Sequence, residues 1–167
     1  MSFASLALSA TPSWSACTSP SAKGSPASPF HADEEVVRTE LGGRLTWQRC
    51  SVGQRFDDGH CHGTPTKLDW ASAAKAAASE GHGWRLPTRD ELNTLLVAAC
   101  NSPATDTTVF PGTDSGWYWS ATKAGDQGAW FVDFENGGGG GETLRTSTAG
   151  VRLVRNGWGD GVDSKSR

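Results

Sequence analysis

Cys50, His60, Cys61 and His62 place two thiols and two imidazoles in one short stretch, a donor set that zinc accepts. The spacing argues against a metal. No C-x₂₋₄-C knuckle is present, and sequence neighbours such as His60, Cys61 and His62 converge poorly on one tetrahedral ion. The expectation is a disulfide-closed loop with two solvated histidines. Cys100 and His82 are the alternative pair for nucleophilic chemistry, which needs a thiolate beside an imidazole and a carboxylate to orient it. Nothing in the sequence brings them together, and an even cysteine count favours pairing, so no enzyme is expected. Asp126, Asp133, Glu135 and Glu142, with Asn136, supply hard oxygens of the kind calcium takes. An exposed polar strand face is the simpler reading, so no cofactor is expected, with calcium as the alternative. Trp117 beside Tyr118 offers aromatic surface for the apolar face of a sugar ring, and carboxylates and arginine add hydrogen bonds. The candidate ligand-binding residues are therefore Trp117, Tyr118, Asp126, Glu135, Asn136 and Arg145, in the variable loop region from Ser115 to Thr148.

These groups must be held by a chain of 167 residues, long enough for one domain with a core of its own. A formal net charge of -3 argues against a broad electrostatic grip on nucleic acid or on a membrane surface. Eight tryptophans against one tyrosine and one methionine, with 21 glycines, point to a loop-rich fold organised on large aromatic anchors. Four cysteines admit three pairings. Cys50 and Cys61 flank a short Gly- and Asp-containing loop that a local bridge would close, and a Cys17–Cys100 bridge would staple the N-terminal segment to the domain. Such bridges imply an oxidising compartment. Phe3 to Ala10 is weakly apolar and rich in small residues, like a clipped signal segment without its positive start. No run approaches transmembrane length, so no membrane insertion is expected.

The positioning elements follow from local pattern. Residues 1–33 are rich in Ser, Ala, Pro and Thr and read as a signal-like or disordered tail and linker. Val36 to Arg38 and Arg44 to Trp47 read as strands around Gly42-Gly43. Asp69 caps a helix with Trp70, Ala73, Ala74, Ala77 and Ala78 on one stripe, and Gly81 stops it. Leu86, before Pro87, is pushed out of the helical region. Thr88 then opens a second helix with a capping box to Glu91, continued by Leu92, Leu95, Leu96 and Ala99, with Cys100 at its end. Trp117 to Ser120 and Ala129 to Glu135 alternate as strands, with Trp130, Val132 and Phe134 on one face and Phe131, Asp133 and Glu135 on the other. Gly137 to Gly141 form a loop, Thr143 to Thr146 return, and Val151 to Arg155 close the domain, so residues 34–156 are the folded unit and 157–167 a polar tail.

The chain resembles the Lcl C-terminal domain family, named for the Legionella collagen-like adhesin. The resemblance rests on Leu45 to Gln54, Cys61-His62-Gly63, Trp70, Trp84-Arg85-Leu86-Pro87-Thr88, Glu91-Leu92, Phe110-Pro111, Tyr118-Trp119-Ser120, Trp130 to Phe134 and Val151 to Arg155, in the family's order. It implies an α+β, C-type-lectin-like fold: two helices with small twisted antiparallel sheets and long loops, stapled by Cys50–Cys61 and Cys17–Cys100. It makes Trp47, Trp70, Trp84, Trp119 and Trp130 core anchors and gives Arg85 structural hydrogen bonds. It also implies an exported, non-catalytic module; the collagen-like adhesin's domain is trimeric and binds sulfated glycans, so a homotrimer and a glycan ligand are the expectation. The Glu-Pro-Asn-like loop and Trp-Asn-Asp strand of calcium-dependent lectins are absent. So is any cysteine after Cys100, where the formylglycine-generating enzymes of the same fold carry theirs. Secreted, periplasmic or cell-surface placement is expected, with a glycan or a surface protein as partner. The alternative function is a protein–protein subunit of a bacterial envelope or surface assembly.

Overall fold

The computed structural model describes residues 28–158 together with Cys17. The signal-like stretch from Phe3 to Ala10 and the tail beyond Trp158 lie outside the described residues. Three sheets and two helices make an α+β arrangement. β1 (Phe30–Asp33), β2 (Val36–Thr39), β3 (Leu45–Gln48) and β9 (Val154–Asn156) form an antiparallel sheet in the order β1-β2-β3-β9. β1 corrects the expected boundary, because Phe30–Asp33 were read as linker. They pair with β2 across a turn at Glu34 (φ 42°), and Phe30 packs edge-on against Phe110. Gly42 and Gly43, at φ 72° and 115°, turn β2 into β3, a backbone conformation that glycine adopts without a Cβ clash. Val37 pairs with Trp47, which pairs with Val154, and all three are buried.

The cysteine loop is a hairpin. β4 (Arg55–Asp57) and β5 (His60–His62) are joined through Asp58 and Gly59 at φ 47° and 78°, the two-residue turn whose twist suits a hairpin. Cys50–Cys61 ties it to the end of β3, and Cys17–Cys100 spans a sequence separation of 83. Thr107 donates its amide to the Cys17 carbonyl at 2.9 Å, seating the remote end of that bridge. Both pairings agree with those the resemblance implies, and no cysteine among the described residues is free.

α1 (Trp70–Glu80) begins where Asp69 accepts the Ser72 amide and ends at Gly81 (φ 68°). Its buried residues, Ala73 and Ala77, are small enough to bring the helix close to the sheet below. α2 (Arg89–Asn93) has the capping box that Thr88 and Glu91 predict: the Thr88 hydroxyl accepts the Glu91 amide, and Glu91 accepts the Thr88 amide at 2.8 Å. It is shorter than its leucine spacing predicts. The Thr94 hydroxyl donates back to the Glu91 carbonyl at 2.6 Å, and Leu95 and Leu96 bond to Leu92 and Asn93 in tight three-residue turns. Val97 then turns away to the Ala104 carbonyl. Leu92 and Leu95 still reach the core, whereas Ala99 is exposed.

β6 (Trp117–Ala124), β7 (Gly128–Asp133) and β8 (Gly141–Leu144) form the central sheet, in the order β6-β7-β8. A bulge between Trp119 and Lys123 breaks the β6–β7 register, where Ser120 donates its hydroxyl to the Trp130 carbonyl. Both faces of this sheet are covered. Tyr118, Val132 and Phe134 pack with Leu92, Leu95 and Trp47; Trp119, Ala129 and Phe131 pack with Ala73, Ala77, Val151 and Leu153. The two helices therefore lie on opposite faces, and Phe131, expected on a polar face with Asp133 and Glu135, is buried beneath α1's side.

Arg152, within the expected strand from Val151 to Arg155, is 1% exposed. Only Val154 of the expected 151–155 strand begins a regular strand, yet the Val151 and Leu153 carbonyls still accept the Val52 and Gln48 amides. The Arg152 guanidinium donates to the carbonyls of Gln48 and Arg49 and to the hydroxyls of Ser51 and Thr113, and it lies over the Phe110 ring. Burial pushes its pKa down, with the Tyr118 hydroxyl opposing that shift. The start of the expected tail, 157–167, is also fixed: Thr46 donates to the Gly157 carbonyl at 2.7 Å, and the Trp158 indole donates to the Thr39 carbonyl.

Three measurements check this account. Arg152→Lys keeps the charge but not the planar fork, and it is expected to cost about 2–4 kcal/mol in urea unfolding by stranding buried acceptors. Glu91 is pushed up by burial, but hydrogen bonds from Arg85 and Thr88 and the Arg85 charge outweigh that and hold its pKa below the ordinary glutamate value. The stability this supplies is full above the ordinary carboxylate range and is lost as pH falls through the lowered pKa. The gap between the parent and Glu91→Gln is therefore largest near neutrality and closes in acid. Finally, removing Cys17–Cys100 is expected to cost about 2 kcal/mol more than removing Cys50–Cys61, from the longer loop it closes.

Candidate functional site

The tryptophans sort by what covers them. Trp47 and Trp119 are fully buried. Trp70, Trp84, Trp130 and Trp158 are half-buried, and each carries an arginine over its ring: Arg145, Arg155, Arg89 and Arg44, at 4.9, 4.9, 4.3 and 4.3 Å. Trp70, Trp84 and Trp130 are thus anchors at the edge of the core, closed by guanidinium lids. Among the described tryptophans, Trp117 alone has neither cover. It is 43% exposed at the start of β6, with no cation over it. Phe131 backs its ring from below, stacked at 4.3 Å with 22° between planes. The result is a rigid indole platform with an open outer face.

Asp133 is the cross-strand partner of Trp117, which places its carboxylate beside the indole. Its Oδ1 accepts the Glu135 amide at 2.8 Å, and among the described residues no donor reaches its Oδ2. Nor does any acceptor there take the Trp117 indole N–H. Two shallow depressions flank the platform. One is lined by Lys67, Gly116, Thr148 and Ala149, the other by Phe131, Asp133, Gly138, Gly140 and Gly141. The Lys67 ammonium is held by Asp114 at 2.7 Å. Gly140 (φ 83°) lies so close to β7 that a Cβ there would sit 1.9 Å from the Phe131 carbonyl oxygen. The glycine loop therefore makes a bare wall of backbone beside the ring. The chemistry available is stacking and hydrogen bonding.

The sequence-derived site residues divide between the two ends of the central sheet. Trp117 stands at the platform, and exposed Glu135 and Asn136 lie at the same end, in the turn after β7. Tyr118 is a correction. Strand alternation turns it away from Trp117 into the core, fully buried, where its hydroxyl meets Ser51 at 2.8 Å and accepts the Asp114 amide. Asp126 lies in the β6–β7 turn at the opposite end, on the order of 20 Å along the strands. Arg145 is there too, donating to the carbonyls of Gly128 and Gly125 and covering Trp70. That end carries Leu144, 60% exposed on edge strand β8, in a depression shared with Asp126 and Glu142.

Phe131, Lys67 and the glycine wall were missed as site residues, and Asp133 was weighed only as a calcium ligand. The first and last of these share an alternation face, so pairing that face with Trp117 would have found them. Lys67 arrives through the bridge of Leu68 to Ala149, which has no local signal. The zinc reading of Cys50 and Cys61 falls, since both sulfurs are in the disulfide, with His60 and His62 exposed beside it. Among the described residues, no group of three or more His, Cys, Asp or Glu side chains is gathered as a metal site. A further depression beside the hairpin is walled by Glu35, Gln48, Arg55, Phe56 and Glu80. Its groups bond to one another, Gln48 to Glu80 and Arg55 to nearby Asp57, and Arg49 covers the Phe56 ring.

No curated protein matches the chain. The family model of the Lcl C-terminal domain matches residues 36–155, from the first residue of β2 into β9, including both helices, the cysteine hairpin and the Trp117 platform. This is an adhesin-associated type of domain. Two disulfides fit an extracellular or envelope location, and among the described residues no helix is long and apolar enough to cross a membrane. With most of its length matched and the implied bridges in place, the chain belongs to the Lcl C-terminal domain family.

Proposed function

We propose that the domain is an exported, non-catalytic, C-type-lectin-like binding module that holds a glycan on the Trp117 platform. One observation carries the reading: among the described tryptophans, Trp117 is the one left bare, and it is backed by Phe131 so that it cannot fold inward. An aromatic of this kind binds the C–H face of a pyranose, while Asp133 and the indole N–H supply the directional bonds that fix its orientation. Glu135 and Asn136 form the outer rim. No metal is needed for this mode of binding.

A second reading, a protein–protein module or homotrimer, rests on Leu144. An exposed leucine on an edge strand is a feature that partners cover. It places contact at the far end of the sheet from Trp117.

The test is a glycan array on the oxidised full chain, with and without calcium. Binding is expected, unchanged by calcium, and reduced at least tenfold by Trp117→Ala with the fold retained. A blank array from folded protein, together with self-association or partner capture lost on Leu144→Glu, would move the assignment to the second reading.

A further inference from the structure

We infer that Asn136 is a self-modifying site: in the folded domain it deamidates through a cyclic imide with Gly137, while the chain's other Asn-Gly pair, Asn156-Gly157, is protected by its hydrogen bonds. This inference stands apart from the glycan reading. The chain has four asparagines, and two of them precede glycine. Asparagine is a labile residue, and a following glycine leaves its amide nitrogen unscreened by a Cβ. That nitrogen can close a five-membered ring on the Asn136 side-chain carbonyl carbon. The new C–N bond forms, the bond to the carboxamide nitrogen breaks, and that nitrogen leaves as ammonia with the proton from the Gly137 amide. Water then opens the ring at either carbonyl. One opening gives aspartate, and the other gives isoaspartate, with the main chain routed through the former side chain. Water is the sole co-reactant.

The fold treats the four asparagines differently. At Asn156 both reacting groups are held: the carboxamide oxygen accepts the Arg85 guanidinium, and the Gly157 amide donates to the Arg44 carbonyl at 2.7 Å. After Asn101, the Ser102 amide donates to the Glu135 carbonyl at 2.7 Å. After Asn93, the Thr94 amide donates back into α2. Asn136 lies just past the last anchored point of its turn. The Phe134 and Glu135 carbonyls accept the Ala104 and Ser102 amides, which fixes the chain up to Glu135. Beyond it, among the described residues, neither the Asn136 carboxamide nor the Gly137 amide has a hydrogen-bond partner. Asn136 is exposed to the water that opens the ring, and Gly137 takes φ 66°, a conformation a side chain there would resist. Conversion replaces a carboxamide, donor and acceptor at once, by a carboxylate next to exposed Glu135.

The experiment incubates the oxidised full chain at physiological temperature, at neutral and at mildly alkaline pH. Each asparagine is followed by peptide mapping that separates aspartate from isoaspartate. The expected result is conversion at Asn136 to both products, faster in alkali because the attacking amide must lose its proton. Its rate is expected to exceed that at Asn156 by at least about tenfold, since a bond to a charged guanidinium must open there first. In the reduced, urea-unfolded chain the two Asn-Gly pairs are expected to convert at similar rates, because the protection of Asn156 belongs to the fold. Asn136→Gln is expected to abolish conversion at that position and leave the other three asparagines as they were. Folded protein that converts both pairs equally, or Asn156 faster, overturns the inference. So does folded protein that keeps Asn136 intact, whatever the unfolded chain does. Conversion of Asn136 to aspartate alone also overturns it, because direct hydrolysis would then replace ring closure.

Discussion

The buried Arg152 guanidinium is the constraint around which the other parts are arranged. A desolvated cation needs acceptors on every side, and those it finds come from the end of β3, from Ser51 and from Thr113, segments far apart in the chain. They meet at one point only when the closing stretch after Gly150 lies along β3. Tyr118 completes the arrangement through Ser51, which fixes β6 in rotation about its own axis. With Tyr118 turned inward, Trp117 and Trp119 must point to the other face. Trp119 falls under α1's alanines and is buried, whereas Trp117 lies at the strand's end and stays open. The exposed platform is in this sense a by-product of how the core satisfies one cation.

The same economy governs the surface aromatics. A chain this rich in tryptophan and this loop-rich cannot enclose every indole, so the half-buried ones are closed by guanidinium groups. Each arginine used in this way is withdrawn from ion pairing and from ligand recognition. Among the described residues the salt bridges are accordingly few, and most join exposed partners, where they add little to stability. The strong polar contacts are internal ones: Arg85 with Glu91 at the mouth of α2, and Arg152 in the core.

Short-range chemistry was readable from sequence because it is decided within a few residues. The Asp69 cap, the Gly81 stop and the Thr88–Glu91 box occupy their expected places, and the cysteine pairings agree with the family resemblance. Errors arose where distant segments decide the outcome. Leucine periodicity extended α2 past Thr94, but the turn at Val97 belongs to a contact with Ala104 that spacing cannot show. Phe131 looked like part of a polar face because α1, which covers it, comes from a different part of the chain. Tyr118 looked like a ligand contact because its neighbour is one, and strand alternation separates the two. Asp126 and Arg145 are close in the loop region by number but lie a full strand length from Trp117. The edge strand Phe30–Asp33 was hidden by its composition, since it is held by pairing with β2 and by Phe30 packing on Phe110, both remote contacts.

The Cys17–Cys100 bridge has a mechanical meaning for a surface domain. A pull applied to the backbone on the outer sides of the two cysteines follows the shortest covalent path, through the sulfurs. Residues 18–99 form a closed loop off that covalent path, so β1 to β5, α1 and α2 bear load only through their contacts with the loaded stretch, such as the pairing of β3 with β9. Tension enters at Cys100 and runs through the segment that contains the central sheet. The platform thus stands in the stretch of chain that would feel a bound surface moving, and the larger share of the domain lies off the covalent path.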